Sequence, residues 1–161
     1  MSQVFIGYDG YGIDGVDDEF IRFIFDVTLS SASLCFSEAS PGSASKKMDS
    51  EVGLVLANDD KMKALNQRYR GKDKSTNVLS FENKEIAGAN QAEPDENYLG
   101  DIYIGCETLV REAKDLHISE KERFAQLFIH GILHLLGFDH EQPIDIEEME
   151  NLEDRIVQLV L

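Results

Sequence analysis

Apolar positions along the chain switch between an alternating and a helical period, and the switches mark out its elements. A short apolar run at 4–6 reads as a strand, followed by a glycine-rich loop over 7–15. Asp17 or Asp18 can cap a helix that carries Phe20, Ile21, Ile24, Val27 and Leu34 on its buried side, ending before a Ser/Gly/Pro loop at 37–45. Residues 52–56 form a continuous apolar run and predict a buried strand. Asp59 or Asp60 then caps a helix with Met62, Leu65 and Tyr69 on one face, stopped near Gly71. A strand over 77–82 places Val78 and Ser80 on one side and Leu79 and Phe81 on the other; 83–97 is polar, acidic and aperiodic, an exposed loop. A strand at 99–105 and a helix at 107–116 follow, and Ser119 with Glu122 forms a capping box for the next helix. That helix carries Phe124, Leu127, Phe128, Ile132, Leu133, Leu135 and Leu136 around most of its circumference, which predicts a central buried position. A last helix covers 144–161.

These elements predict a single α+β domain over 1–161: a small mixed β-sheet packed against helices, with a metal-bearing helix at its centre. A chain of 161 residues can bury about two thirds of its unfolded surface and fold without disulfides. Cys35 and Cys106 are far apart in sequence and read as reduced, buried thiols of a cytoplasmic protein rather than as metal ligands. The apolar stretch 20–36 is broken by Arg22 and Asp26, so neither a signal peptide nor a membrane span is expected.

The chemistry concentrates in His130-Gly131-Ile132-Leu133-His134-Leu135-Leu136-Gly137-Phe138-Asp139-His140, an HxxxHxxGxxH pattern holding three of the four histidines. Residues four apart share a helix face, so His130 and His134 can offer imidazoles to one ion. A left-handed turn at Gly137 can swing His140 back toward them. Three protein nitrogens leave a fourth tetrahedral position open, as in a catalytic zinc centre; copper, nickel and iron also suit imidazole. The spacing is that of the metzincin peptidases, but the glutamate that serves them as general base is replaced here by Gly131, which disfavours peptide hydrolysis. Asp139, beyond the turn, can orient a ligand or water, and its role stays open. His117 lacks ligand spacing.

Charge sharpens the picture. The net charge of −16 argues against a nucleic-acid partner at first sight, yet it is segregated. Lys61, Lys63, Arg68, Arg70, Lys72 and Lys74 face a single acid, Asp73, whereas the acids from Glu141 to Asp154 face a single base, Arg155.

Three blocks in order, LNQRYRGKDKSTNVLSF at 65–81, Gly100-Asp101-Ile102, and HGILHLLGFDH at 130–140, resemble the YbeY family of bacterial metal-dependent endoribonucleases. The resemblance implies an α+β fold, zinc on His130, His134 and His140, and action on single-stranded RNA in ribosomal RNA processing, 16S maturation and ribosome quality control. Ribosomal proteins are possible partners, and the oligomeric state stays open. A functional arginine of the family maps onto Arg70. The guanidinium can engage two phosphate oxygens at once, with Lys72 and Lys74 as less directional substrate contacts; Ser75, Thr76 and Asn77 read as structural. Two other classes remain: a zinc metallopeptidase-like hydrolase, and a non-catalytic ribosome-assembly factor whose metal serves folding.

Overall fold

The computed structural model describes residues 2–37, 49–83, 97–138 and 146–161. The expected loops at 37–45 and 83–97, together with Asp139 and His140, lie almost entirely or wholly outside them. Strands β1 (Gln3–Tyr8), β2 (Glu51–Ala57), β3 (Val78–Glu82) and β4 (Tyr98–Gly105) form one sheet in the order β1-β2-β4-β3. The first two pairings are parallel and β3 runs antiparallel to β4, so the sheet is mixed. Five helices accompany it among the described residues: α1 (Asp18–Ser37), α2 (Asp59–Arg70), α3 (Cys106–Leu116), α4 (Glu120–Leu135) and α5 (Ile146–Val160). The architecture is α+β.

Strand alternation divides the apolar residues between two layers. Val52, Leu54, Leu56, Ile102 and Ile104 pack with α1, α4 and α5 in the main core. Leu79 and Phe81 face the other way, where α2 covers them with Met62 and Leu65. Helix α4 is the hub of the main core, and Phe124, Ala125, Phe128, Ile129, Ile132 and Leu133 are fully buried. Its start is capped as expected, the Ser119 hydroxyl accepting from the Glu122 amide at 3.0 Å. Among the described residues, no helix is long and apolar enough to cross a membrane.

Some local expectations are corrected. Asp17 does cap α1, accepting from the Phe20 amide, but the buried stripe runs through Ile21, Ile24, Phe25, Leu29 and Ala32. Leu34 falls off that stripe and is 72% exposed. Cys35, expected to be buried, is exposed: burial along α1 stops at Ala32 although the helix runs on. Asn58, not Asp59 or Asp60, caps α2, its side chain accepting from the Lys61 amide at 2.8 Å. Cys106, expected at a strand end, opens α3; it is buried, and burial pushes its thiol up to about 11.

A polar clamp ties the strand that borders the site to two helices. Glu112 on α3 accepts from the Arg123 guanidinium at 2.7 Å and from the Asn77 amide at 3.1 Å. Arg123 is largely buried, with 19% of its side chain exposed. Glu112→Ala removes the acceptor shared by both donors, with some replacement by water. The expected loss is about 2 kcal/mol, a melting temperature roughly 4–8 °C lower, read in a thermal melt.

Candidate active site

Helix α4 ends in the turn that its sequence anticipates. Gly137 has φ 86°, its amide donates to the His134 carbonyl at 3.0 Å, and the Phe138 amide reaches back to Leu133 at 3.2 Å. This paired closure is a Schellman motif, and its left-handed residue costs least as glycine. The turn comes three residues before His140 in the sequence. His130 and His134 stand one turn apart with ring centroids 4.8 Å from each other.

Both imidazoles line a cleft of about 390 Å³ between the end of α4 and the edge strand β3, together with Arg70, Ser80, Glu82 and Leu135. Arg70 comes from the last turn of α2, more than fifty residues away in sequence. Its guanidinium donates to the Ser80 carbonyl at 3.0 Å and stands over the Phe81 ring, 4.9 Å from its centroid. Phe81 is in turn held between Tyr69 and Tyr103. The stack and the hydrogen bond aim an otherwise exposed cation at the cleft.

Gly131 sits at the closest approach of α4 to the sheet. A Cβ there would lie 3.1 Å from the Ser80 hydroxyl and 3.2 Å from two atoms of Ile102. The position that holds the peptidase base in metzincins is therefore a packing contact here, tight even for a Cβ. With glycine here, the chain lacks the carboxylate that serves metzincins as general base.

The other predicted residues separate. Lys72 and Lys74 are exposed on the segment between α2 and β3, outside the lining of the cleft. That segment is pinned from within: buried Asn66 donates to the Lys74 carbonyl at 2.9 Å and accepts from the Lys72 amide at 3.3 Å. Ser75 and Asn77 are structural, as expected. The Ser75 hydroxyl donates to Asp59 at 2.9 Å; burial works to raise the Asp59 pKa, but hydrogen bonds from Ser75, Arg111 and Thr108 outweigh it and hold the group below its ordinary value. Asp101 lies on the opposite face of the sheet from the histidines and accepts from the Tyr98 hydroxyl. His117 closes α3 in a left-handed conformation, φ 56°, away from the cleft.

Three residues at the site escaped the sequence reading. Ser80 and Glu82 line the cleft, and Glu153 on α5 approaches His130, its Oε1 2.6 Å from Nδ1. The signal for Glu153 was present: it interrupts the apolar stripe Leu152, Ile156, Val157, Val160, where a carboxylate needs a partner.

The donor set suits a metal ion in chemistry and spacing. Two imidazoles share one helix face, and a carboxylate engages the ring nitrogen of His130 opposite Nε2, a common arrangement behind metal-binding histidines. No group of three His, Cys, Asp or Glu side chains able to hold a metal occurs among the described residues; His140, the third predicted donor, is outside them.

A family model described as Endoribonuclease YbeY matches residues 29–160. The chain belongs to the YbeY endoribonuclease family. Proteins named Endoribonuclease YbeY from Rhodospirillum rubrum and Nitrobacter hamburgensis are 43% and 45% identical to it over 107 and 109 residues. Those matches cover 66% and 68% of this chain and 54% and 57% of the relatives, so the chain spans little more than half their length. The YbeY of Allorhizobium ampelinum is 41% identical over 119 residues, 74% of this chain and 70% of its own. The solution structure of TM1509 from Thermotoga maritima superposes with a TM-score of 0.57 at 25% identity, covering 99% of this chain and 89% of the other. YbeY membership agrees with the three sequence blocks, and residues of two of them, Arg70 and Ser80 from one and His130 and His134 from the other, line the cleft.

Proposed function

We propose that this protein is a metal-dependent endoribonuclease that cuts single-stranded RNA in the cytoplasm, acting in ribosomal RNA maturation, including 16S processing, and ribosome quality control. The observation that carries the reading is the convergence of His130, His134 and Arg70 on one cleft. His130, His134 and His140 would hold one zinc ion, whose positive charge polarises a phosphoryl oxygen. Arg70 binds the scissile phosphate through two parallel N–H donors and stabilises the charge that develops as the P–O bond breaks. Because its guanidinium is already fixed by Ser80 and Phe81, little ordering is needed on binding. Lys72 and Lys74, outside the cleft, contact flanking phosphates and add affinity without direction. Ribosomal RNA, and ribosomal proteins around it, are the partners this chemistry fits.

The test compares the purified chain, a chelated sample and Arg70→Ala on ribosomal RNA fragments, with the cut ends mapped. Arg70→Ala is expected to slow cleavage by about 100-fold while its melting temperature stays close to wild type, since the side chain is exposed; Arg70→Lys recovers only part of the rate. Chelation abolishes cleavage. A 2′,3′-cyclic phosphate at the product end identifies the ribose 2′-hydroxyl as nucleophile, and a 5′-phosphate paired with a free 3′-hydroxyl identifies water. Wild-type cleavage by the Arg70→Ala variant or by the chelated sample would overturn the reading.

A further inference from the structure

Helix α5 buries Leu152, Ile156, Val157 and Val160, and Glu153 lies beside that stripe with only 21% of its side chain exposed. Its acidic neighbours Glu147, Glu148, Glu150 and Asp154 are all exposed. Withdrawing a carboxylate from water is unfavourable unless it gains a partner. The partner is His130, across the α4–α5 contact and 23 residues earlier, at the short 2.6 Å separation of a charge-assisted hydrogen bond. The His130 ring bridges two openings: the cleft it shares with His134 and Arg70, and a second of about 340 Å³ lined by Arg123, Gln126, Glu153 and Asp154. Nδ1 is the edge that Glu153 engages.

We infer that Glu153 is a positioning residue that holds His130 in the Nδ1–H tautomer and so presents the Nε2 lone pair to the metal. The inference rests on the reading of His130 as a metal ligand. Neutral imidazole has one ring proton to place; fixing it on Nδ1 makes Nε2 the acceptor, and the carboxylate also raises the basicity of that nitrogen. A plain ion pair between the same residues would need a proton on both ring nitrogens, which leaves no lone pair for a metal. The two roles therefore predict opposite effects on metal binding.

The experiment uses the full chain as wild type, Glu153→Gln, Glu153→Ala and His134→Ala. Zinc affinity is measured by competition with a chromophoric chelator, the His130 tautomer by ¹⁵N NMR of the metal-free protein above the imidazole titration, and apo stability by thermal melting. Wild type is expected to carry its proton on Nδ1. Zinc affinity should fall roughly 10–100-fold in Glu153→Ala and less in Glu153→Gln, which keeps an acceptor oxygen at the same reach. A purely structural ion pair would lower the apo melting temperature and leave zinc affinity unchanged or raised, and either result would overturn the inference. An Nε2–H tautomer in wild type would overturn it too, and that measurement stands even if Glu153→Ala does not fold. Failure of the underlying site reading looks different: His134→Ala would then bind zinc as tightly as wild type.

Discussion

His134→Ala is expected to lose tight zinc binding and RNA cleavage together while the metal-free protein keeps its fold. His134 supplies one of the two imidazoles in the described part of the cleft, and without it only two of the three proposed histidine ligands are left to compete with water for the ion. Without the charge that a bound ion would supply, several kcal/mol of electrostatic stabilisation should be lost; about 4 kcal/mol corresponds to roughly a thousandfold in rate. The fold should tolerate the change. His134 is only partly buried, and its contribution to the helix end is its carbonyl, which accepts from Gly137 whatever the side chain. The measurements are zinc content after dialysis, cleavage of ribosomal RNA fragments and the apo melting temperature. Wild-type cleavage by the variant would remove His134 from the site.

Gly131→Glu, which writes the metzincin HExxH pattern into this chain, is expected to destabilise the protein rather than make it a peptidase. A Cβ at this position already presses on Ser80 and Ile102. A glutamate would add a methylene and a carboxylate beyond that Cβ and carry a charge into the contact, where the Ser80 hydroxyl is the one polar group among its nearest neighbours. Overpacking and the buried charge together cost on the order of 3–5 kcal/mol, a large share of the 5–15 kcal/mol typical of whole domains. The melting temperature should fall by roughly 10 °C or more. Gly131→Ala separates the terms, because its gain in helix propensity of about 1 kcal/mol offsets a squeeze of a few tenths of an ångström. A Gly131→Glu protein with wild-type stability and casein hydrolysis would contradict this account.

Much of the site was legible because it is local. The caps at Asp17 and Ser119, the stop at Gly71 and the glycine closure at Gly137 depend on residues within one or two turns, and all four occur. The histidine spacing of four sets a shared face by helix geometry alone. The burial of α4 was readable from its nearly continuous apolar circumference. What failed was reach: Cys35 follows the phase of the α1 stripe yet is exposed beyond Ala32, where burial stops, and periodicity carries no information about where burial along a helix ends.

The order of the strands, the meeting of α2 with the end of α4, and the exclusion of Lys72 and Lys74 from the cleft depend on how distant segments pack. Arg70, Lys72 and Lys74 looked like one basic run, and the stacking of Arg70 on Phe81 selects only the first of them. Gly131 was readable as a missing base; that it is a contact point between helix and sheet required the sheet. By itself the sequence determined the spacing of the histidines, the helix that carries two of them and the turn after it, since each is an interaction between near neighbours along the chain. Only the tertiary structure decided which cation faces the histidines and that Glu153 backs one of them, because those contacts join residues from separate elements and exist only once the core has packed.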